Sequence, residues 1–178
     1  MALKDAYNWG MKNVVNPVMG ISEYYAPTKA VAAPSSYQLK DRGVQLTDAD
    51  IQAIRPLLYG EVSNRTPDKQ MLEANVILNT ALNRMKAYKE KGMNKTLADV
   101  ISMPNQYQAY GGTQYQQYAN PVDAPSIAKK KKVDAIVDAL HGQIKSGVYP
   151  DITQGAYYYI HNPDRTISYD NKRPLFAQ

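Results

Sequence analysis

One glutamate in the sequence has surroundings that suit it to proton transfer. Glu61 follows the apolar segment 57–59 and Gly60, where a helix is expected to end. A carboxyl group in such a place is partly desolvated, which raises its pKa and lets it hold a proton near neutral pH. Cleavage of a glycosidic bond needs such a group, because the leaving oxygen must be protonated as the bond breaks. The alternative is a surface glutamate after a helix end, paired with Arg65 or Arg84.

Three asparagines lie four residues apart in the next predicted helix, at Asn75, Asn79 and Asn83. That spacing places them on one polar stripe. Asparagine is a mediocre helix former, so three of them lower the stability of the helix unless their side chains make a compensating interaction. Amides donate to and accept from hydroxyl and N-acetyl groups, so a sugar-binding edge is one explanation. A solvated helix face explains the stripe equally well.

Two segments rich in tyrosine could flank a sugar site. Residues 105–112 combine amides, tyrosine rings and glycines, and such a loop can wall a saccharide groove, although polar loops of this kind are common. Residues 157–163 form an aromatic run that ends in the turn signal His161-Asn162-Pro163. Taken alone, that run predicts a strand at the edge of a core.

A run of four lysines, Lys129–Lys132, falls in the first half of a predicted helix. Cations there oppose the helix dipole. The run is either a solvated face or a contact with a polyanionic wall polymer or nucleic acid. No aromatic residues interleave it, so we expect no specific nucleic-acid recognition.

The composition excludes several kinds of chemistry. The 178 residues include no cysteine and only two histidines, which excludes disulfides, thiol nucleophiles and a three-histidine zinc centre. The net charge of +5 suits a polyanionic partner without identifying one. The longest apolar run, Ala156–Ile160, is too short for a membrane span or for the core of a secretory signal. We therefore expect neither a membrane span nor a signal peptide.

Apolar residues recur with helical spacing over most of the chain after residue 45, which predicts a mainly α single domain. Thr47 is the expected N-cap of the first helix, and Gly60 its left-handed exit. Residues 105–122 are predicted to be an irregular loop, and the one extended piece is expected at Ala156–Ile160. Three further helices are predicted. The first starts at Thr66-Pro67 and ends at Gly92, the second spans Thr96–Ser102, and the third spans Ser126–Ser146.

The N-terminal segment follows a different pattern. Residues 1–15 predict a short amphipathic helix, and residues 25–42 predict an extended tether. A lone short helix is marginal in water, so this segment is either a loosely packed terminus or a docking arm that orders on an assembly. We assign residues 1–44 to an N-terminal docking arm and linker, and residues 45–178 to the compact domain.

Four short motifs follow one another in the sequence. They are Tyr59-Gly60-Glu61, Asn83-Arg84, Gln106-Tyr107 after Asp99-Val100-Ile101, and His161-Asn162-Pro163 after Gly155-Ala156. Taken in this order, the motifs resemble those of the SleB-like cell wall hydrolases of the spore-cortex-lytic type, and the resemblance covers about residues 47–165. The sequence departs from the family at Val62–Arg65, where the usual acidic residue is missing, and at Tyr107, which replaces a phenylalanine. An insertion at Lys86–Asn94 lengthens the second helix region.

The resemblance implies a lysozyme-like fold that acts on peptidoglycan without a metal or other cofactor. It implies cleavage between N-acetylmuramic acid and N-acetylglucosamine, typically as a lytic transglycosylase. Glu61 matches the catalytic glutamate, which protonates the glycosidic oxygen and then takes the proton of the muramoyl C6 hydroxyl. The residues expected to bind the glycan are Tyr59, Asn83, Gln106, Tyr107, Tyr159, His161 and Asn162.

These expectations combine into one hypothesis and three alternatives. The hypothesis is a phage-borne, virion-associated lytic transglycosylase, or a muramidase of the same fold, that acts on the host cell wall, binds glycan strands and is held by other virion or tail proteins through residues 1–44. A soluble endolysin is the next possibility within the same activity. The competing class is a non-catalytic virion structural or adaptor protein whose lysozyme-like domain only grips glycan. An amidase is disfavoured, because the sequence offers too few ligands for the usual zinc chemistry.

Overall fold

The computed structural model describes residues 36–62, 66–104, 106–107, 109–164 and 166–176. The helix predicted at 1–15 and the part of the docking arm before residue 36 lie outside the described residues. The described part is mainly helical, which confirms the predicted α class. Among the helices of this part, none is both long enough and apolar enough to cross a membrane.

Five helices and four short strands follow one another along the described chain. The helices are α1 (Asp48–Glu61), α2 (Pro67–Glu90), α3 (Leu97–Ile101), α4 (Thr113–Ala119) and α5 (Ala124–Lys145). The strands are β1 (Ser36–Leu39), β2 (Val44–Thr47), β3 (Tyr158–His161) and β4 (Ile167–Asp170). They pair as two antiparallel hairpins, β1 with β2 and β3 with β4.

Side-chain caps determine where α1 and α3 begin. The Thr47 side chain accepts the backbone N–H of Asp50, and the Asp50 carboxylate accepts the backbone N–H of Thr47. Thr96 and Asp99 form the same reciprocal pair at the start of α3. Each box satisfies two backbone donors that a helix start leaves free. The predicted N-cap at Thr47 is confirmed.

The end of α1 differs from the prediction. The helix continues through Gly60 and ends at Glu61, so Gly60 is not a left-handed exit. A Cβ atom at Gly60 would collide with the Cβ of Ala109. Glycine is required here by the close approach of the loop before α4, not by backbone conformation.

The core forms around α1, which packs against α3, α4, α5 and β2. Its apolar face is fully buried. The apolar face of α5 is buried as well, as the helical spacing of the apolar residues predicts. The buried apolar residues of α1 are Ile51, Ile54, Leu57, Leu58 and Tyr59; those of α5 are Val133, Ile136, Val137, Leu140 and Ile144.

The first hairpin corrects the predicted domain boundary. Residues 36–39 and 44–47 pair in register, and alternate side chains of both strands enter the core. The buried members include Leu39 and Val44. Residues 36–44 therefore belong to the folded body, and the predicted tether is wrong over 36–42. The folded body begins by residue 36, before the predicted boundary at residue 45.

Arg42, in the turn of this hairpin, ties it to α2. Its guanidinium donates to the amide oxygens of Asn79 and Asn83 and to the backbone carbonyl of Tyr149. Asn75 accepts the Tyr149 hydroxyl at 2.6 Å. The asparagine stripe is therefore neither a sugar-binding edge nor a solvated face. It is a buried polar seam, which fits the rule that buried polar groups find partners.

Besides the two strands of the first hairpin, two further elements were missed by the sequence analysis. Residues 113–119 form α4 inside the predicted irregular loop of 105–122. The extended piece expected at 156–160 is β3, shifted to Tyr158–His161, and its partner β4 had no prediction. This second hairpin packs on α2 and so brings its side chains to the folded core.

Candidate active site

Glu61 is a shielded carboxylate at the last position of α1. Its side chain is 4% exposed. The backbone N–H of Ala109 donates to its Oε1 at 2.6 Å. A surface glutamate would expose its carboxylate to solvent, so that alternative is wrong for Glu61. Since Gly60 lets the loop approach, the sequence Gly60-Glu61 positions both the carboxylate and its backbone donor.

Strand β3 brings two further groups to this carboxylate. His161 Nε2 lies 3.6 Å from Glu61 Oε2, and the imidazole side chain is 38% exposed. The Tyr159 hydroxyl interacts with the same carboxylate. Tyr159 and His161 are two positions apart in a strand, so they lie on one face. The structure thus brings together three of the predicted site residues, Glu61, Tyr159 and His161.

The direction of the Glu61 pKa is opposite to the prediction. Burial raises the pKa of this carboxyl, as expected, but the His161 imidazole, the Ala109 N–H and the Tyr159 hydroxyl outweigh burial. Together they lower the pKa below its ordinary value of 4.5. The cause is stabilisation of the charged form by donors and by a cation. In the free protein Glu61 is therefore ionised at neutral pH, and the prediction of a resident proton is wrong.

Tyr107 and Arg84 support Tyr159 from the core side. The Tyr107 ring is buried and stacks on Tyr159 with ring centroids 6.0 Å apart. The buried Arg84 guanidinium lies 5.3 Å from the Tyr107 ring and 4.7 Å from the Tyr158 ring. Arg84 also donates to the Tyr157 carbonyl at 2.6 Å. Tyr107 therefore holds a site residue in place instead of lining a groove as predicted.

Asn83 and Tyr59 are not at the carboxylate. The Asn83 amide donates to Thr153 Oγ1 and to the Ala156 carbonyl, so both ends of its side chain are used inside the fold. Tyr59 is 2% exposed and packs edge-on against Tyr118. The prediction that these two side chains bind substrate is wrong, because neither presents a free polar group at the surface.

The last two predicted residues, Asn162 and Gln106, form their side-chain hydrogen bonds with other groups. The Asn162 amide bonds with Thr166 and Ser168, which closes the turn between β3 and β4. Asn162 therefore shapes the hairpin that holds His161, and glycan binding by its half-buried side chain stays a prediction. Gln106 is partly buried and directs its amide nitrogen to the Pro104 carbonyl. The contacts of Gln106 do not place it against the carboxylate.

Sequence reasoning missed Ala109 as a site residue. Its contribution is a backbone N–H, which any residue except proline supplies, so no residue type could have signalled it. Gly60 was noticed but was assigned to a helix exit. The tight pairing of Gly60 with Ala109 becomes visible only when the loop is placed against α1.

The residues that the structure describes contain no group of three or more metal-binding side chains of His, Asp or Glu. Comparison with known proteins adds no relative: no family model, no curated protein and no solved structure matches the chain. The chemistry that the site can perform therefore follows from its own side chains and backbone groups. A shielded carboxylate beside an exposed imidazole can accept a proton and pass one on.

Proposed function

We propose that this protein cleaves the glycosidic bond between N-acetylmuramic acid and N-acetylglucosamine in peptidoglycan, with Glu61 as the proton-transferring group. One observation supports this most directly. The Glu61 carboxylate is shielded from water, while its neighbour His161 is exposed and 3.6 Å away. Such a pair offers one buried group to the reacting bond and one exposed group to the solvent.

The ionised state of Glu61 changes how the first proton would be supplied. The leaving oxygen needs a proton, and a glutamate with a lowered pKa does not hold one. We infer that the Glu61–His161 pair holds the proton jointly, with the imidazole loading it from solvent. A glycan that covers this face removes water from the exposed imidazole, and desolvation of the pair favours its neutral form, with the proton on Glu61. The proton then moves from His161 to Glu61 and on to the glycosidic oxygen.

The second half of the reaction favours a transglycosylase over a hydrolase. Among the described residues, the groups that lower the pKa of Glu61 are an imidazole, a backbone amide and a phenol, and none of these is a carboxylate. A hydrolase normally uses two carboxylates. In the transglycosylase route the ionised Glu61 takes the proton of the muramoyl C6 hydroxyl, whose oxygen attacks C1. One carboxylate suffices, since the substrate supplies the nucleophile.

The proposal has three further parts: a lysozyme-like fold, a phage origin, and delivery in a virion through residues 1–44. They rest on the motif resemblance, and the mainly helical architecture is compatible with the first of them. The proposed substrate is the glycan strand, and no metal is assigned to the reaction.

A test uses purified peptidoglycan and the variant Glu61→Gln. Glutamine keeps the shape and the acceptor for the Ala109 N–H but cannot transfer a proton. We expect release of soluble fragments to fall by about 10²–10⁴-fold, with an unchanged circular dichroism spectrum. The matched control is Glu90→Gln, an exposed glutamate on α2, which should retain full activity. Mass spectrometry of the products should show 1,6-anhydro ends; reducing ends would indicate hydrolysis instead.

A second candidate function is glycan binding without cleavage. The ionised Glu61 favours it, because a permanent carboxylate can accept sugar hydroxyls without donating a proton. Glycan retention by the wild-type chain with no product at any pH would support this candidate and would overturn the catalytic proposal.

A further inference from the structure

The loop that contacts the Glu61 carboxylate through Ala109 continues into a pair of tyrosine rings that the proposed reaction does not use. Tyr110 and Tyr115 have ring centroids 4.9 Å apart and planes inclined at 57°. Tyr110 is 37% exposed, whereas Tyr115 is partly buried and packs against the core. One ring is therefore anchored, and the other presents apolar surface to solvent.

The pair is joined to Glu61 through one peptide unit. Ala109, whose N–H contacts the carboxylate, directly precedes Tyr110. Because a Cβ at Gly60 would meet Ala109, this loop lies as close to α1 as sterics allow. The Tyr110 ring is therefore tied to the reacting group by a short, closely packed segment.

The backbone around Tyr110 is fixed by hydrogen bonds. The Tyr110 N–H donates to the Tyr107 carbonyl, and the Gly112 N–H donates to the Ala109 carbonyl. Gly111 has a φ of 73°, which glycine adopts without strain. The turn is thus set before any ligand binds, which reduces the entropy lost on binding.

Helix α4 fixes the second ring in the same way. The Tyr118 hydroxyl donates to Asp134 at 2.6 Å, and Gln114 accepts a bond from Lys129, so α4 is attached to α5 at two points. Burial raises the pKa of Tyr115, and contact with the Tyr110 hydroxyl raises it further. The two hydroxyls therefore face each other, and Tyr110 remains 37% exposed.

We propose that Tyr110, backed by Tyr115, is a stacking subsite for an N-acetylated pyranose ring of the glycan strand. The inference rests on the proposed function and names the contact that holds the strand next to Glu61. A pyranose presents an apolar C–H face, which packs on the exposed surface of the Tyr110 ring, while the Tyr110 hydroxyl stays in contact with Tyr115. The subsite supplies binding and orientation, and it takes no part in proton transfer.

The test measures binding in the full chain that carries Glu61→Gln, so that the glycan stays intact. The probe is the β-1,4-linked tetramer of N-acetylglucosamine, titrated by calorimetry. Adding Tyr110→Ala should weaken binding by about tenfold, and Tyr110→Phe should weaken it by less than about twofold. Val148→Ala, which removes exposed apolar surface elsewhere, should change nothing. Saturation-transfer NMR should show contact to sugar C–H protons that Tyr110→Ala removes.

The outcomes separate this subsite from the proposed activity. Cleavage by the wild-type chain together with unchanged affinity in Tyr110→Ala would overturn the subsite alone. Weaker binding in Tyr110→Ala without any cleavage by the wild-type chain would support the subsite and overturn the catalytic role of Glu61. No binding of the tetramer or of peptide-free glycan strands by any variant would overturn the subsite, and absence of cleavage in the same samples would overturn the function as well.

Discussion

The Glu61 carboxylate accepts the backbone N–H of Ala109 at 2.6 Å, across 48 positions of sequence. This contact exists because the residue before Glu61 has no side chain, so the loop can lie directly on α1. It stabilises the charged carboxylate and fixes the loop that holds Tyr110. One glycine therefore affects both the charge state and the geometry of the site.

Replacing Gly60 by alanine should separate the Ala109 loop from α1. The new Cβ collides with the Cβ of Ala109, so we expect a loss of about 1–3 kcal/mol in the free energy of unfolding. The matched control is Gly142→Ala in α5, where a Cβ meets nothing within 4 Å. That control should gain about 0.5–1 kcal/mol, since alanine is the better helix former. Urea denaturation of both variants measures the contrast, and equal effects of the two changes would contradict it.

The lowered pKa of Glu61 should make stability depend on pH. The carboxyl binds protons less readily in the folded chain than in the unfolded chain, where its pKa is near 4.5. Its contribution is therefore fully present above about pH 4.5 and is lost as the pH falls through the folded-state pKa. Unfolding free energies of wild type and Glu61→Gln, measured from about pH 6 to about pH 3, should converge as acid is added. A constant difference across that range would refute the assignment.

Removing the His161 imidazole should raise the pKa of Glu61. His161→Ala deletes both its direct interaction with the carboxylate and its positive charge, and burial, which raises the pKa, remains. Carbon-13 NMR of the labelled glutamate carboxyl measures the titration. The other histidine, His141, lies against Tyr37 and near Asp48, so His141→Ala is the matched control and should leave Glu61 unchanged. Equal titration curves for Glu61 in both variants would rule out the pairing.

Arg42→Met should be among the more destabilising single changes in the hairpin. It leaves the side-chain oxygens of Asn79 and Asn83 and the carbonyl of Tyr149 without their buried donor. With three buried acceptors unsatisfied, we expect a loss of at least about 3 kcal/mol. Lys40→Met, an exposed change in the same turn, should alter stability by less than about 0.5 kcal/mol. Thermal unfolding compares the two, and a mild effect of Arg42→Met would show that water replaces the guanidinium.

Four of the five described helices could be predicted from the sequence, because their signals are local; α4, which was missed, has neither a side-chain cap nor a buried face. Thr47 and Thr96 are caps whose partners lie three residues away, and the apolar stripe of α5 repeats within one helix. The first hairpin has only four residues in each strand. Its alternation was present at Tyr37 and Leu39, but the neighbouring Pro34 and Gly43 suggested a tether.

The site could be predicted only in part, since its properties arise from distant pairs. The motif positions led to Glu61 and His161, but not to the effect of one on the other. The pKa direction depends on three donors from two distant segments, the loop at Ala109 and strand β3, and burial, the one factor visible from sequence, has the opposite sign. Asn79 and Asn83 were misassigned for the same reason, because their partner Arg42 lies in a segment that was taken for a linker.

The second hairpin pairs Tyr159 with Tyr169 and His161 with Ile167. A slip of one residue in β3 would exchange the two faces of the strand and turn Tyr158 and Ile160 towards Glu61. The carboxylate would then lose its phenol and its imidazole together. Titration of this one side chain is therefore an assay of correct strand alignment, and a misaligned hairpin would give a chain that is folded but has no working acid–base pair.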